Sequence, residues 1–183
     1  MIKRHIPIEV FTTLHRVSGK LQATAPGIFS YLNLPTESGV DIDDALVAPL
    51  LQPWDQAEKV GSIWLVKSEI AVVIVGSRAD IGPTGTARGG YTKPFPHRVR
   101  ILLAGYELKG LIEAAGKLDF GGLVFDGDQP FIAVYDVQLR AVLFPRVALE
   151  SPAVLANRKL VTAISLLHRK ETQPLGAPPE YDR

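Results

Sequence analysis

Glu107-Leu108-Lys109-Gly110-Leu111-Ile112-Glu113 decides how the whole chain is read, because it admits two structures. With Ala115 and Leu118 added, Leu108, Leu111 and Ile112 show the i, i+3, i+4, i+7 spacing of an amphipathic helix. Read with period two, Leu108, Gly110 and Ile112 share one face and charged residues take most of the other, as in a strand. A second copy of the pattern separates the two readings. Setting residues 10–34 against 101–125, a shift of about ninety positions, puts Gly19 on Gly110, Val17 on Leu108, Leu21 on Ile112, Phe29 on Phe120 and Leu32 on Leu123. The earlier copy, Arg16-Val17-Ser18-Gly19-Lys20-Leu21-Gln22-Ala23, alternates with period two and then reaches Pro26-Gly27. Related segments should share one structure, and only a strand suits both.

Outward from there the correspondence continues. Asp44-Ala45 meets Asp136-Val137, Leu65-Val66-Lys67 meets Leu155-Ala156-Asn157, Ile70 meets Leu160 and Ile74 meets Ile164. An ordered series through both halves implies an internal duplication. The first half reads as short strands near residues 8–15, 17–24, 39–44, 45–51, 61–67 and 69–75. The second reads as strands near 98–105, 107–114, 119–125, 131–136, 137–143 and 153–167, the last broken at Asn157-Arg158. Lys67-Ser68-Glu69 and Asn157-Arg158-Lys159 read as tight turns before a closing apolar strand. The expected fold class is therefore all-β, two tandem small SH3/Sm-like antiparallel barrels, an arrangement that limits exposed edges. Residues 1–76 form the first, a Gly/Pro-rich linker spans 77–97, residues 98–168 form the second, and 169–183 are a tail. Phe29, Leu32, Ile70, Phe120, Leu123 and Leu160 are expected in the core, as is Trp64 within its apolar strand. Asp44 and Asp136 are expected to share a turn.

Composition narrows the function classes. Fourteen prolines and sixteen glycines among 183 residues favour many turns and short elements over long helices. The net charge of +1 supplies no overall field toward nucleic acid or anionic membrane. There is no cysteine, which removes disulfides, thiolate metal sites and cysteine nucleophiles and fits a reducing compartment. The first ten residues lack the apolar run of a signal peptide, and no stretch approaches the ~18 apolar residues of a membrane span. A cytoplasmic protein with no membrane partner is the expectation.

Two family resemblances follow from particular residues. Gly105 and Gly110 around a curved second strand, Asp119 with an apolar run, Val134-Tyr135-Asp136 and the turn and strand from Asn157 to Ile164 resemble the Sm-like group of SH3-type small barrels. The first half resembles that group through the repeat, and several bacterial families of unknown function share the same spacing. The Sm-like resemblance implies a strongly bent five-stranded barrel, ring assembly and often RNA binding. Gly110 to Asp119 is longer than the family pattern, Gly122 or Leu123 stands where an Asn is usual, and the last turn lacks an Arg-Gly pair. The fold idea carries over; no RNA-binding residue does. Arg98 and Arg100, with Leu118-Asp119-Phe120-Gly121-Gly122, also resemble the cyclic-dinucleotide-binding PilZ barrel, although Gly121 replaces that motif's serine and the arginines are closely spaced.

No residue pattern assembles catalytic or metal chemistry, so no catalytic residue, metal ligand or cofactor is assigned. His5, His15, His97 and His168 have no i+2 or i+4 partner, whereas zinc needs three or four convergent ligands. Asp41, Asp43 and Asp44 lack the glycine and closing glutamate of a calcium loop. Residues 82–90 lack the Gly-Lys-Ser/Thr ending of a phosphate loop, and no serine sits in a nucleophile elbow. The interaction candidates are Trp54, in a loop after Pro53, and the basic and aromatic residues Arg88, Tyr91, Lys93, Phe95, Arg98 and Arg100, with Arg78 near them. The leading expectation is a non-catalytic interaction or structural protein, binding a protein partner or itself. The alternative is a nucleic-acid-binding Sm-like module using the basic linker and a barrel face.

Overall fold

The computed structural model describes residues 3–24, 27–84, 94–124, 127 and 129–167. In chain order the first-half elements are β1 (Lys3–Phe11), β2 (His15–Thr24), α1 (Ile28–Leu32), β3 (Gly39–Pro49), β4 (Glu58–Val66), β5 (Val72–Val75) and α2 (Arg78–Ile81). The second half contributes β6 (Phe95–Leu103), β7 (Tyr106–Ala114), α3 (Phe120–Val124), β8 (Phe131–Ala141), β9 (Ala148–Asn157) and β10 (Val161–Leu166). Short 3-10 turns at Lys67–Glu69 and Arg158–Leu160 lead into β5 and β10, where tight turns were expected.

All ten strands lie in one sheet of order β10-β6-β7-β8-β9-β5-β1-β2-β3-β4, with every neighbouring pair antiparallel. The all-β, antiparallel expectation holds. The sheet is open, with β10 and β4 at its edges, where two closed barrels were expected. Among the described residues no helix is long and apolar enough to cross a membrane.

β7 settles the ambiguous stretch as a strand, with Leu108, Gly110 and Ile112 buried at alternate positions. The corresponding pairs agree in register: Ile8 faces Gly19 and Val75, while Val99 faces Gly110 and Leu166. Both glycines sit beside a register shift, between Ser18 and Lys20 and between Lys109 and Leu111. A Cβ at Gly19 would stand 2.7 Å from the Asp43 carbonyl oxygen, and one at Gly110 would stand 2.8 Å from that of Tyr135. The neighbouring residues Asp44 and Asp136 take the left-handed conformation, with φ of 50° and 48°. The local bend is a bulge-like irregularity inside a long strand. Hence β3 and β8 are single strands where two short ones were expected in each case, and the aspartates bend a strand instead of ending it.

Three further expectations are corrected. Where a strand is expected near 119–125, Phe120–Val124 form α3: the Asp119 carboxylate accepts the Gly121 N–H at 3.0 Å, and Leu123 N–H bonds the Asp119 carbonyl at 3.0 Å. An Asp that satisfies the free amides of a first turn starts a helix there. Phe29, Leu32 and Ile70 are buried as expected, but Phe120, Leu123 and Leu160 are only partly so. Trp64 is 53% exposed because it lies on β4, beyond which no further strand lies among the described residues.

The halves share their cores. One core joins the first-half residues Val10, Phe29 and Val73 to Phe131 and Leu155 of the second half. The other joins Ile101, Leu108 and Val134 to Phe11, Leu50 and Val72 of the first. Phe11 meets Tyr106 edge-on at 6.1 Å, and the Tyr106 hydroxyl donates to the Thr12 carbonyl. Burial raises the Tyr106 pKa, keeping that hydroxyl protonated as a donor. Asn33 holds Phe131 at both backbone atoms, donating from Nδ2 to its carbonyl at 3.2 Å and accepting its N–H at 2.8 Å.

Candidate functional site

The sequence candidates separate. Trp54 lies in the β3–β4 loop, 44% exposed, with its indole N–H donating to the Arg146 carbonyl at 3.4 Å. The Arg16 guanidinium stacks 4.1 Å from its ring centroid, and Arg146 pairs with Asp55 at 2.6 Å. Trp54 therefore ties a first-half loop to the loop between β8 and β9. Phe95, expected in the linker, begins β6, which also carries Arg98 and Arg100; all three are exposed. Arg88, Tyr91 and Lys93 lie outside the described residues, as does His168. Arg78 is in α2, bonded to Asp136 at 2.6 Å and stacked 4.7 Å from the Tyr135 ring centroid.

Arg100 has an intramolecular partner. Its Nε lies 2.7 Å from Glu107 Oε1, and Arg140 Nη2 lies 2.5 Å from Glu107 Oε2. Lys109 Nζ is 4.0 Å away. The carboxylate at the centre of this cluster is only 2% exposed, because β6 and β8 flank β7. Burial opposes its ionisation, but the Arg140 hydrogen bond and the charges of Arg100, Arg140 and Lys109 outweigh that cost and lower its pKa. The cluster is a structural clamp across three strands, and it engages Arg100, one of the two arginines of the PilZ resemblance. Asp119, central to the PilZ resemblance, likewise caps α3.

His5 and His15 are exposed, and His97 Nε2 lies 2.7 Å from the Gly116 carbonyl oxygen. Among the described residues no three His, Asp or Glu side chains converge as metal ligands would. A cleft of about 100 Å³ between α1 and α3 is lined largely by apolar groups, including Phe29, Leu123, Phe131 and Ile132, with Glu113 and Tyr135 at its polar side.

The distinctive geometry is at strand edges. Inside the chain, β5 and β9 pair as Val72–Ala156, Val73–Leu155, Ile74–Val154 and Val75–Ala153. Val72, Val73, Val75 and all four β9 partners are fully buried. Asn157 closes the end of this joint, its Nδ2 donating to the carbonyls of Ile70 at 2.8 Å and Lys67 at 3.3 Å. β5 is the last strand of the first half and β9 the fourth of the second. The strands left over, β10 and β4, are the last of the second half and the fourth of the first, and among the described residues they have no partner strand on their outer sides. β4 carries exposed Glu58 and Lys59 at its start, but its later part, residues 62–66, and all of Val161–Leu166 contain no charge and no proline. Exposed edges are usually protected from further pairing by such residues.

Sequence reading reached these strands but placed Trp64 in the core. Composition alone does not mark the edges, since the buried β5 is as free of charge as residues 62–66 and Val161–Leu166; the edges show only in the strand order. Comparison with protein-family models, curated proteins and solved structures found no match.

Proposed function

We propose that this chain is a non-catalytic structural protein that acts by protein–protein binding through the open edges of its sheet. The observation that carries the reading is the pair of uncharged, proline-free edge segments, one carrying the exposed Trp64. In this reading the halves descend from one bent, SH3/Sm-like unit by duplication. Their equal strand orders, the glycines at matched bends and the positive φ at Asp44 and Asp136 support that origin. Duplication of a unit with two sticky edges leaves the inner pair joined and the outer pair free. The nucleic-acid alternative draws on Arg98 and Phe95, both exposed on β6, but Arg100 and Arg140 are engaged by Glu107.

A photo-cross-linking amino acid at position 64 tests the reading in the intact protein at native expression. The same group at Lys59, on the outer part of β4, serves as the control. Adducts to a protein identified by mass spectrometry, formed from position 64 and not from 59, are expected. An absence of position-64 adducts would remove edge binding as the mode of action.

A further inference from the structure

We infer that the partner of the β4 edge is the β10 edge of a second copy of this chain, joined in the register that β5 and β9 already use. The inference rests on the edge-binding reading and names its partner. At the inner joint, Ile132-facing Ala156 and Val154 point into the core of their own half, whereas Leu155 and Ala153 cross into the core dominated by the first half. Val73 and Val75 of β5 enter that same first-half core, while Val72 enters the second-half core. The joint is thus an exchange in which each strand supplies side chains to the core of the other half.

The edge strands repeat the inner half of this exchange and lack the outer half. The pairing of β3 with β4 sets Ile42 opposite Ile63 and Val40 opposite Leu65, as that of β8 with β9 sets Val134 opposite Val154 and Ile132 opposite Ala156. The pairings of Leu65 with Leu155 and of Ile74 with Ile164 expected from sequence are each off by one position: in the strand register Ile63 and Leu65 correspond to Val154 and Ala156, and both pack against their own half's core. Trp64 corresponds to Leu155 and Ser62 to Ala153, the residues that cross over, and both are exposed. On β10, Ile101 faces Ile164 as Val10 faces Val73, so Ile164 corresponds to Val73 and packs against its own core. Leu166, which corresponds to the fully buried Val75, is exposed. An exposed tryptophan at a position whose counterpart crosses into another core marks a missing strand.

The register follows directly. Ile164 of one copy falls opposite Trp64 of the next, Ala163 opposite Leu65, Ser165 opposite Ile63 and Leu166 opposite Ser62. Polarity is compatible, because an odd number of antiparallel steps separates β10 from β4 within the sheet, so an added β10 continues the alternation. The contact is heterologous, one edge meeting a different edge, and each added copy presents a fresh one. Such contacts close into a ring or extend as a filament. Asn157, which seals the inner joint, has Val66 as its counterpart, so the joint between copies lacks that polar clasp and is the weaker of the two.

Two blocked variants test the partner and the polarity together. Trp64→Glu closes the β4 edge and leaves β10 intact; Ile164→Lys does the reverse. Both should retain the far-UV circular dichroism and the cooperative melt of the parent. Sedimentation of the parent is expected to show mass rising with concentration beyond one chain. Each variant alone should sediment as a monomer, and their mixture should give a dimer of doubled mass that grows no further. Because the chain has no cysteine, mixing Trp64→Cys with Ile164→Cys should give an oxidised heterodimer, whereas Lys59→Cys with Ile164→Cys should not. A parent that is monomeric at every concentration overturns the self-partner, as does a single blocked variant that still dimerises through like edges. If position 64 then cross-links a different, identified protein, edge binding stands and only its partner changes. If it cross-links nothing, both fail.

Discussion

The two halves share a strand order but reverse the charge at its centre. In the first half Arg16 sits between Glu9, at 3.0 Å, and the Trp54 ring. At the matching positions of the second half Glu107 sits between Arg100 and Arg140. The backbone devices, by contrast, are preserved: a glycine at each close approach, a left-handed aspartate beside it, and a 3-10 turn before the last strand. The difference teaches that the bend is fixed by sterics that leave little choice of residue, whereas the surface of the sheet accepts either sign if a partner is supplied. The helices differ as well. α1 buries Ile28, Phe29 and Leu32, while α3 buries none of its residues.

That last contrast gives the largest expected effect. Phe29→Ala removes a ring buried in the first core and should cost roughly 3–5 kcal/mol in chemical denaturation. Phe120→Ala removes a ring that is only partly covered, and about 1–2 kcal/mol is expected. Equal costs would mean that α3 is packed as deeply as α1 in solution, and the contrast between the halves would disappear.

Glu107 sharpens the charge comparison. Glu107→Gln leaves Arg100 and Arg140 facing a neutral amide and should cost about 1–3 kcal/mol at neutral pH. Its pH dependence is more telling. The folded-state pKa is depressed below the ordinary glutamate value of about 4.3, so the ionised carboxylate stabilises the fold above that value. That contribution is lost as pH falls from there through the lower folded value. In denaturation titrations the difference between parent and Glu107→Gln should shrink across that acid window and stay constant above it. A difference independent of pH would show that the variant acts through packing and not through the arginine and lysine charges around it.

Much of this architecture was legible because strands announce themselves by alternation. Leu108, Gly110 and Ile112 needed only the repeat to be read correctly, and the turns at Lys67 and Arg158 were visible as polar breaks before apolar runs. α3 was not visible, since its two glycines and short span give no helical period and its start depends on one Asp119 hydrogen bond. The long bent strands were divided at Asp44 and Asp136 because aspartate more often marks a turn. The edges were least legible. Trp64 lies in a sequence that any buried strand could have, and only the strand order reveals that no described strand lies beyond it.

The smallest effects concern the two left-handed aspartates, where the halves should agree. An L-residue in that region carries a backbone cost of roughly 1–2 kcal/mol, which aspartate partly offsets and glycine avoids. Glycine also widens the unfolded ensemble, by about 0.4–1 kcal/mol. The two terms oppose each other, so Asp44→Gly and Asp136→Gly should each change stability by less than about 1 kcal/mol. The lost ion pairs, to Lys20 at 2.8 Å and to Arg78 at 2.6 Å, join exposed groups and alter this little. A β-branched side chain tolerates the conformation worst, so Asp44→Val and Asp136→Val should fall below their glycine counterparts by about 1–2 kcal/mol. Arg78 adds one asymmetry, because it keeps Glu113 at 3.6 Å and the Tyr135 ring when Asp136 is lost. Matching glycine-to-valine gaps at both positions, measured by urea denaturation, would identify backbone strain as the shared reason for aspartate there. A gap at one position alone would mean that the bends are held differently, and the equivalence of the halves would stop at strand order.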